Sequence, residues 1–220
     1  MRKYFTFITL LFLLSFFNLL HSQDISFEEL YNKIKDNYTT IYPKRFDAYI
    51  EGKIVEAQIS TIPAKNYLSS KDKIRLKFTL VQNSKPNIVL ENVDSFYAKM
   101  FSVFEEPLET VGFYAIVSES YSLLSKKFTV DSIKEDNDKY EVVLRAVGEN
   151  KDYSINYTIN KNSLLVESAD YYNKKSKIYD VDISYTNIDN YTVPEIIKYK
   201  SSDGKVNSQI QFVDIKVSSK

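Results

Sequence analysis

The sequence predicts an α+β fold, mostly antiparallel β, in which a strongly curved meander sheet is covered by an N-terminal helix and by an inserted helix. Apolar and polar residues alternate along most of the chain, and turn-forming residues separate the alternating segments at short intervals. Two segments, residues 26–41 and 94–106, instead carry apolar side chains at spacings of three and four, which is typical of amphipathic helices. No internal repeat or linker is present, so residues 24–220 are expected to form one domain.

The leading helix has clear start and stop signals. Ser26 and Glu29 fit a capping box, and Pro43 ends the helical pattern. Its apolar stripe consists of Phe27, Leu30, Tyr31, Ile34, Tyr38 and Ile41.

The strands follow from period-two alternation. In the first of them Phe46, Ala48 and Ile50 share one face, and Gly52 predicts a bulge or bend before further strand residues at 54–59. The other predicted strands lie at residues 74–80, 88–90, 111–117, 128–133, 140–147, 153–159, 164–172, 178–185, 194–200 and 206–217. Polar turn sequences at 136–138, 149–150, 160–162 and 203–204 indicate consecutive hairpins.

The inserted helix is expected to begin at Asp94, whose side chain can cap it, and to end before Pro107. A second, shorter helical piece is expected at residues 119–126.

The first 23 residues have the pattern of a secretory signal peptide. Arg2 and Lys3 precede an apolar run over residues 4–20, and cleavage is expected after Ser22 or Gln23. A permanent transmembrane helix is the alternative, but Thr, Ser and Asn interrupt the run and leave it under about 18 clean residues. The sequence contains no cysteine that could be lipidated, so we expect an unlipidated periplasmic protein, or a secreted one.

The composition excludes most catalytic and metal sites. The chain has no cysteine, its one histidine is His21, and its four glycines lie far apart. Ser-His-Asp and Cys-His catalysis, zinc sites of His or Cys, and glycine-rich nucleotide loops all need residues that are missing. We therefore expect no enzymatic activity, no cofactor and no metal ligand.

Charge argues against nucleic acid as a partner. Residues 24–220 hold 27 basic and 29 acidic side chains, whereas a nucleic-acid binder needs a basic surface. Carboxylate hydrolysis is the remaining enzymatic alternative, with Glu105, Glu106, Asp136 and Asp138 as candidates. These residues are better interpreted as a helix terminus and a solvated turn, and the turn lacks the glycine of a calcium loop.

A long sheet with one apolar face must bury that face, and a bent sheet that holds helices on its concave side often leaves a lipid-sized cleft. Periodicity alone favours a filled core, because aromatic and branched residues are enriched on strands of any β protein. For a cavity, we expect a wall made of residues from two strand regions, the inserted helix and the last strand. These residues are Leu76, Phe78, Leu80, Tyr97, Met100, Phe101, Phe104, Ile183, Tyr185 and Phe212.

The C-terminal third carries a family resemblance. Residues 157–172 run through the turn at 160–162, and they are followed by the alternating strand 178–185, the Val193-Pro194 strand and the closing strand 210–217. This succession resembles the LolA-like family of outer-membrane lipoprotein-sorting carriers. The resemblance implies an unclosed β-barrel lidded by helices, which holds acyl chains in the periplasm without cofactor or catalysis.

The function that the resemblance implies is therefore carriage of lipid or lipoprotein acyl chains by a monomer, with envelope membrane proteins as further partners. The alternative is a non-enzymatic structural or protein-interaction domain, periplasmic or secreted, with a filled core.

Overall fold

A computed structural model describes residues 25–82, 84, 86–99 and 120–219 of the chain. Its helices are α1 (Phe27–Ile41), α2 (Lys53–Ser60), α3 (Ser95–Ala98) and α4 (Tyr121–Lys127). Its strands are β1 (Arg45–Glu51), β2 (Arg75–Val81), β3 (Asn87–Glu91), β4 (Phe128–Glu135), β5 (Lys139–Ala146), β6 (Tyr153–Asn160), β7 (Val166–Asn173), β8 (Ser176–Ile188), β9 (Tyr191–Ser201) and β10 (Asn207–Ser218).

These strands form one antiparallel sheet in the order β3-β2-β1-β10-β9-β8-β7-β6-β5-β4. Each strand from β4 to β10 pairs with the next along the chain, as expected of a meander, and β10 then pairs with β1. Within the described residues β3 and β4 are the two edges and do not pair with each other, so the curved sheet is an unclosed barrel. The predicted fold class is confirmed.

Helix α1 forms as the capping pattern predicts. The Ser26 hydroxyl accepts a hydrogen bond from the Glu29 backbone N–H at 3.2 Å, and the helix ends at Ile41, two residues before Pro43. The Asn37 side-chain amide also donates to the Ser163 carbonyl at 2.7 Å, which ties the helix to the β6–β7 turn. The buried side chains of α1 are Phe27, Leu30, Tyr31, Ile34 and Tyr38.

The prediction of strand at residues 54–59 is wrong, because this segment is helix α2. Its isoleucines and Val55 favour a strand by local propensity. Val55, however, is 5% exposed and Ile59, four residues later, packs against the same core, so the two lie on one helical face; Ile62, just after the helix, is 3% exposed. Gly52 allows the change of direction at a φ of 151°, a conformation that other residues rarely adopt.

The inserted helix is predicted to run from Asp94 to just before Pro107, but α3 ends at Ala98, because the backbone of Lys99 leaves the helical conformation and caps it. The Asp94 side chain accepts from the Phe96 N–H at 3.0 Å and caps α3 as expected, while residues 100–106 and the predicted strand at 111–117 lie outside the described residues. The shorter predicted helix is confirmed as α4, whose Tyr121 ring packs 5.5 Å from that of Tyr31.

The signal peptide at residues 1–23 also lies outside the described residues and stays a prediction. In the part of the chain that the structure describes, no helix is both long enough and apolar enough to cross a membrane.

Candidate ligand-binding face

The buried residues of the sheet lie on one continuous face, which we call the concave face. Along β2, for example, Leu76, Phe78 and Leu80 are 0–3% exposed and alternate with more exposed neighbours. Cross-strand pairing carries this face onto β1, where Ala48 lies opposite Phe78 and Ile50 lies opposite Leu76. Two aromatic groups on the concave face differ in how tightly they are packed.

The first group, the phenylalanine cluster, consists of Phe46, Phe78 and Phe212 on β1, β2 and β10. Their ring centroids are 5.2–5.6 Å apart in edge-on geometry, which is a favourable arrangement for aromatic rings. None of the three is more than 2% exposed. Tyr42 continues the cluster towards α1, with its ring 6.2 Å from Phe46 and stacked 4.6 Å from Tyr38. This side of the concave face is packed by its own side chains.

The second group, the tyrosine cluster, consists of Tyr157, Tyr171, Tyr179 and Tyr199 on β6, β7, β8 and β9. Tyr157 and Tyr199 are the two ends of one cross-strand row, with Ala169 on β7 and Val181 on β8 between them. In a neighbouring row Tyr171 pairs directly with Tyr179. The Tyr171 and Tyr179 rings stack at 4.5 Å.

Burial is uneven within the tyrosine cluster. Tyr157 is 2% and Tyr171 8% exposed, whereas Tyr179 and Tyr199 are only partly buried in the described structure. Burial raises the pKa of Tyr157 and of Tyr199 far above the ordinary tyrosine value, and the neighbouring Tyr179 adds to both shifts. The Tyr157 and Tyr199 hydroxyls therefore stay protonated and uncharged at physiological pH.

The predicted cavity residues fall into three groups. Leu76, Phe78, Leu80, Ile183 and Phe212 are buried on the concave face, and the structure brings the Phe78 and Phe212 rings into contact. Tyr97 and Tyr185 are partly buried against the same core, and the Tyr185 hydroxyl donates to the Val166 carbonyl at 2.7 Å. Met100, Phe101 and Phe104 lie outside the described residues. Contact of any of these residues with a ligand stays a prediction.

The sequence reasoning missed the tyrosine cluster, although a signal for it existed. Tyr179 lies on the same face of its strand as Ile183 and Tyr185, which are predicted to line the cavity. Tyr157 likewise shares a face with Ile155 and Ile159. The same periodicity could not show that Tyr179 and Tyr199 are only partly buried.

The described grooves of the opposite, outer face are polar. One, of about 480 Å³, lies between the start of α2 and β10 and is lined by charged and amide side chains such as Lys53, Glu56, Lys198 and Gln209. A smaller groove of about 220 Å³ crosses β4 to β7. Among the described residues no group of three or more His, Cys, Asp or Glu could hold a metal ion, and Asp136 and Asp138 lie in the β4–β5 turn.

Comparison with known proteins agrees with this architecture. The structure matches a protein domain from Vibrio parahaemolyticus described as an outer membrane lipoprotein-sorting domain, with a TM-score of 0.52, 10% identity, and coverage of 86% of this chain and 91% of that one. The chain has the fold of this lipoprotein-sorting domain. A DUF1329 family protein from Desulfovibrio piger matches over 86% of this chain and 91% of its own, with 10% identity and a TM-score of 0.46. No family model matches the sequence, and no curated protein matches it significantly.

Proposed function

We propose that the protein is an exported, non-enzymatic carrier that holds the acyl chains of a lipid or lipoprotein against its concave face. The observation that carries this proposal is the tyrosine cluster, in which Tyr179 and Tyr199 are only partly buried beside the buried Tyr157 and Tyr171. The fold supports the proposal, because the matched domain is described as lipoprotein-sorting and the tyrosine cluster lies on the buried face of the unclosed sheet. Burial of aromatic and aliphatic surface would supply the binding energy.

We place the ligand over β6 to β9 rather than over β1, β2 and β10. The phenylalanine cluster already fills its side of the face, with ring contacts of 5.2–5.6 Å. A chain inserted there would have to displace close-packed rings. Over the tyrosine cluster an acyl chain could lie against the partly buried rings of Tyr179 and Tyr199.

The export route and partners belong to the same proposal. A signal peptide at residues 1–23 would deliver the chain to the periplasm, and a carrier of acyl chains would exchange them with membrane proteins of the envelope. No step in this function calls for a catalytic residue or a cofactor.

One observation favours a second candidate, a structural or interaction domain with a filled core. The rings of Phe46, Phe78 and Phe212 are buried and contact one another edge-on, with centroids 5.2–5.6 Å apart. If the tyrosine cluster were covered equally well in the complete chain, no ligand space would remain.

Two matched substitutions separate these candidates. Tyr179→Ala removes a partly buried ring of the tyrosine cluster, and Phe212→Ala removes an enclosed ring of the phenylalanine cluster. Removing a large ring from a filled core costs about 3–5 kcal/mol. A carrier predicts this loss for Phe212→Ala, whereas Tyr179→Ala costs on the order of 1 kcal/mol and weakens ligand binding.

The readouts are urea unfolding and native mass spectrometry with organic extraction, on protein purified without detergent from an exporting host. Co-purifying acyl lipid or lipoprotein that Tyr179→Ala reduces would support the carrier. A bare parent protein that takes up no added lipid, together with equal destabilisation by both substitutions, would support the filled core and refute the carrier.

A further inference from the structure

The two ends of the sheet differ in their connections between strands. At one end, which we call the α2 end, β1 stops, α2 follows and β2 starts. The described segments that lie between strands, or lead into or out of a strand, at this end are residues 52–74, 92–99, 120–127, 147–152, 174–175 and 202–206. The described connections of the opposite end are 42–44, 82, 84, 86, 136–138, 161–165 and 189–190. The antiparallel pairing places all members of each set at the same strand ends.

Large exposed apolar side chains concentrate at the α2 end. Phe96 and Leu68 are 81% and 74% exposed, more than any other large apolar residue of the described chain. They lie on one small ladder, because the Leu68 N–H donates to the Asn92 carbonyl at 2.9 Å and the Asp94 N–H donates to Asn66 at 2.9 Å. The other exposed apolar residues at this end are Leu123, Val147, Tyr153 and Val206.

Charge follows the same asymmetry. The described connections of the α2 end contain eleven lysines and six carboxylates, whereas those of the opposite end contain two lysines and three aspartates. Lys65, Lys71 and Lys73 lie within a few residues of Leu68, and none of the three forms an ion pair with a described carboxylate. Lysine is a flexible point charge that suits phosphate groups without fixed geometry.

We propose that the α2 end is a docking surface for an anionic lipid bilayer, in which Leu68 and Phe96 insert at the headgroup level and the surrounding lysines contact lipid phosphates. Isolated protruding apolar side chains among cations are typical of interfacial membrane binding. Lys65, Lys71 and Lys73, which form no ion pair with a described carboxylate, match a diffuse negative surface, whereas a protein partner would need complementary carboxylates at defined positions. The proposal concerns the outside of the molecule and does not rest on a ligand at the tyrosine cluster.

Co-flotation with lipid vesicles tests the proposal. Protein from the exporting host is mixed with vesicles of phosphatidylcholine alone or with phosphatidylglycerol added, at low and at high salt. We expect binding only to the anionic vesicles, weakened by salt. All variants share one N-terminus, so any contribution of residues 1–24 to vesicle binding is the same in each of them.

The decisive variant is Leu68→Ser with Phe96→Ser, for which we expect at least about ten-fold weaker binding. Its control is Val81→Ser, an apolar residue 42% exposed at the opposite end, which should leave binding unchanged. Replacing Lys65, Lys71 and Lys73 by Gln should weaken binding on the order of a hundred-fold, since each lysine near an anionic surface contributes about five-fold. Lys44→Gln at the opposite end is the charge control.

Circular dichroism confirms that each variant is folded, which is expected because all the replaced side chains are exposed. Absence of binding to anionic vesicles, or equal effects of the variants and their controls, would overturn the proposal. Binding restricted to vesicles that contain envelope proteins would overturn it too, in favour of a protein partner at the same end.

Discussion

Gly52→Ala should be among the most destabilising single-methyl additions in the chain. A Cβ at this position would lie 2.4 Å from the Gln209 carbonyl oxygen, a backbone atom of β10 that cannot rotate away. The φ of 151° adds strain, because this region of backbone space is almost confined to glycine and costs other residues about 1–3 kcal/mol.

Relief of the contact requires β1 and α2 to move away from β10. The pairing of Glu51 with Gln211 lies beside it, and α2 carries the buried Val55. Together, strain and displacement should lower the free energy of unfolding by about 3 kcal/mol, and the melting temperature by about 6–12 °C for a chain of this size.

Urea unfolding followed by far-ultraviolet circular dichroism measures the loss, since the chain has no tryptophan. Gly204→Ala is the matched control: Gly204 has a φ of 72°, but an added Cβ would meet no atom within 4 Å. The control should cost only about 1 kcal/mol of left-handed strain. Equal losses for the two substitutions would refute the close approach of Gly52 to β10.

Three further predictions concern the core and its edges. Phe78→Ala should cost about 3–5 kcal/mol in urea unfolding, and a loss below about 1.5 kcal/mol would mean that the ring faces open space. Above about pH 10, Tyr157 and Tyr199 remain protonated in the folded protein while they ionise in the unfolded chain, so each should reduce the free energy of unfolding by about 1.4 kcal/mol per pH unit. In the variant with both tyrosines replaced by Phe, the free energy of unfolding should therefore fall less steeply with pH than in the parent. An unchanged dependence on pH would contradict the burial of the two tyrosines. Asn37→Ala removes the 2.7 Å bond to the Ser163 carbonyl and should cost about 1 kcal/mol in the same assay, whereas no loss would mean that the bond contributes nothing to α1 docking.

Most of the fold could be predicted because its signals are local. A capping serine at residue 26 fixes the start of α1, and period-two alternation in β2 gives the burial of Leu76, Phe78 and Leu80 directly. Helix α2 could not be recognised in the same way, because Ile54 and Val55 favour a strand locally and the deciding contacts are made elsewhere. Its helical state depends on the core that receives Val55 and on the backbone of β10 beside Gly52.

The candidate site was harder to predict than the fold for a related reason. Alternation identifies which side chains face inward, but every inward side chain gives the same signal whether a ring or empty space lies opposite. Phe212 and Tyr199 are both inward residues of neighbouring strands, yet the first is enclosed by Phe46 and Phe78 and the second is partly accessible in the described structure. That difference arises from curvature and helix placement, which alternation does not encode.

The tyrosine cluster and the proposed membrane-docking surface are related through the α2 end of the sheet. Tyr171 and Tyr199 lie two residues before their strands end at the α2 end, and Tyr179 lies three residues after β8 begins there. A ligand leaving the tyrosine cluster by the shortest path along the strands would therefore emerge at the α2 end, the end that also carries Leu68 and Phe96. If both proposals hold, the Leu68→Ser and Phe96→Ser variant should retain co-purified ligand yet release it to anionic vesicles more slowly than the parent. Unchanged release would mean that ligand exchange does not depend on membrane docking through Leu68 and Phe96.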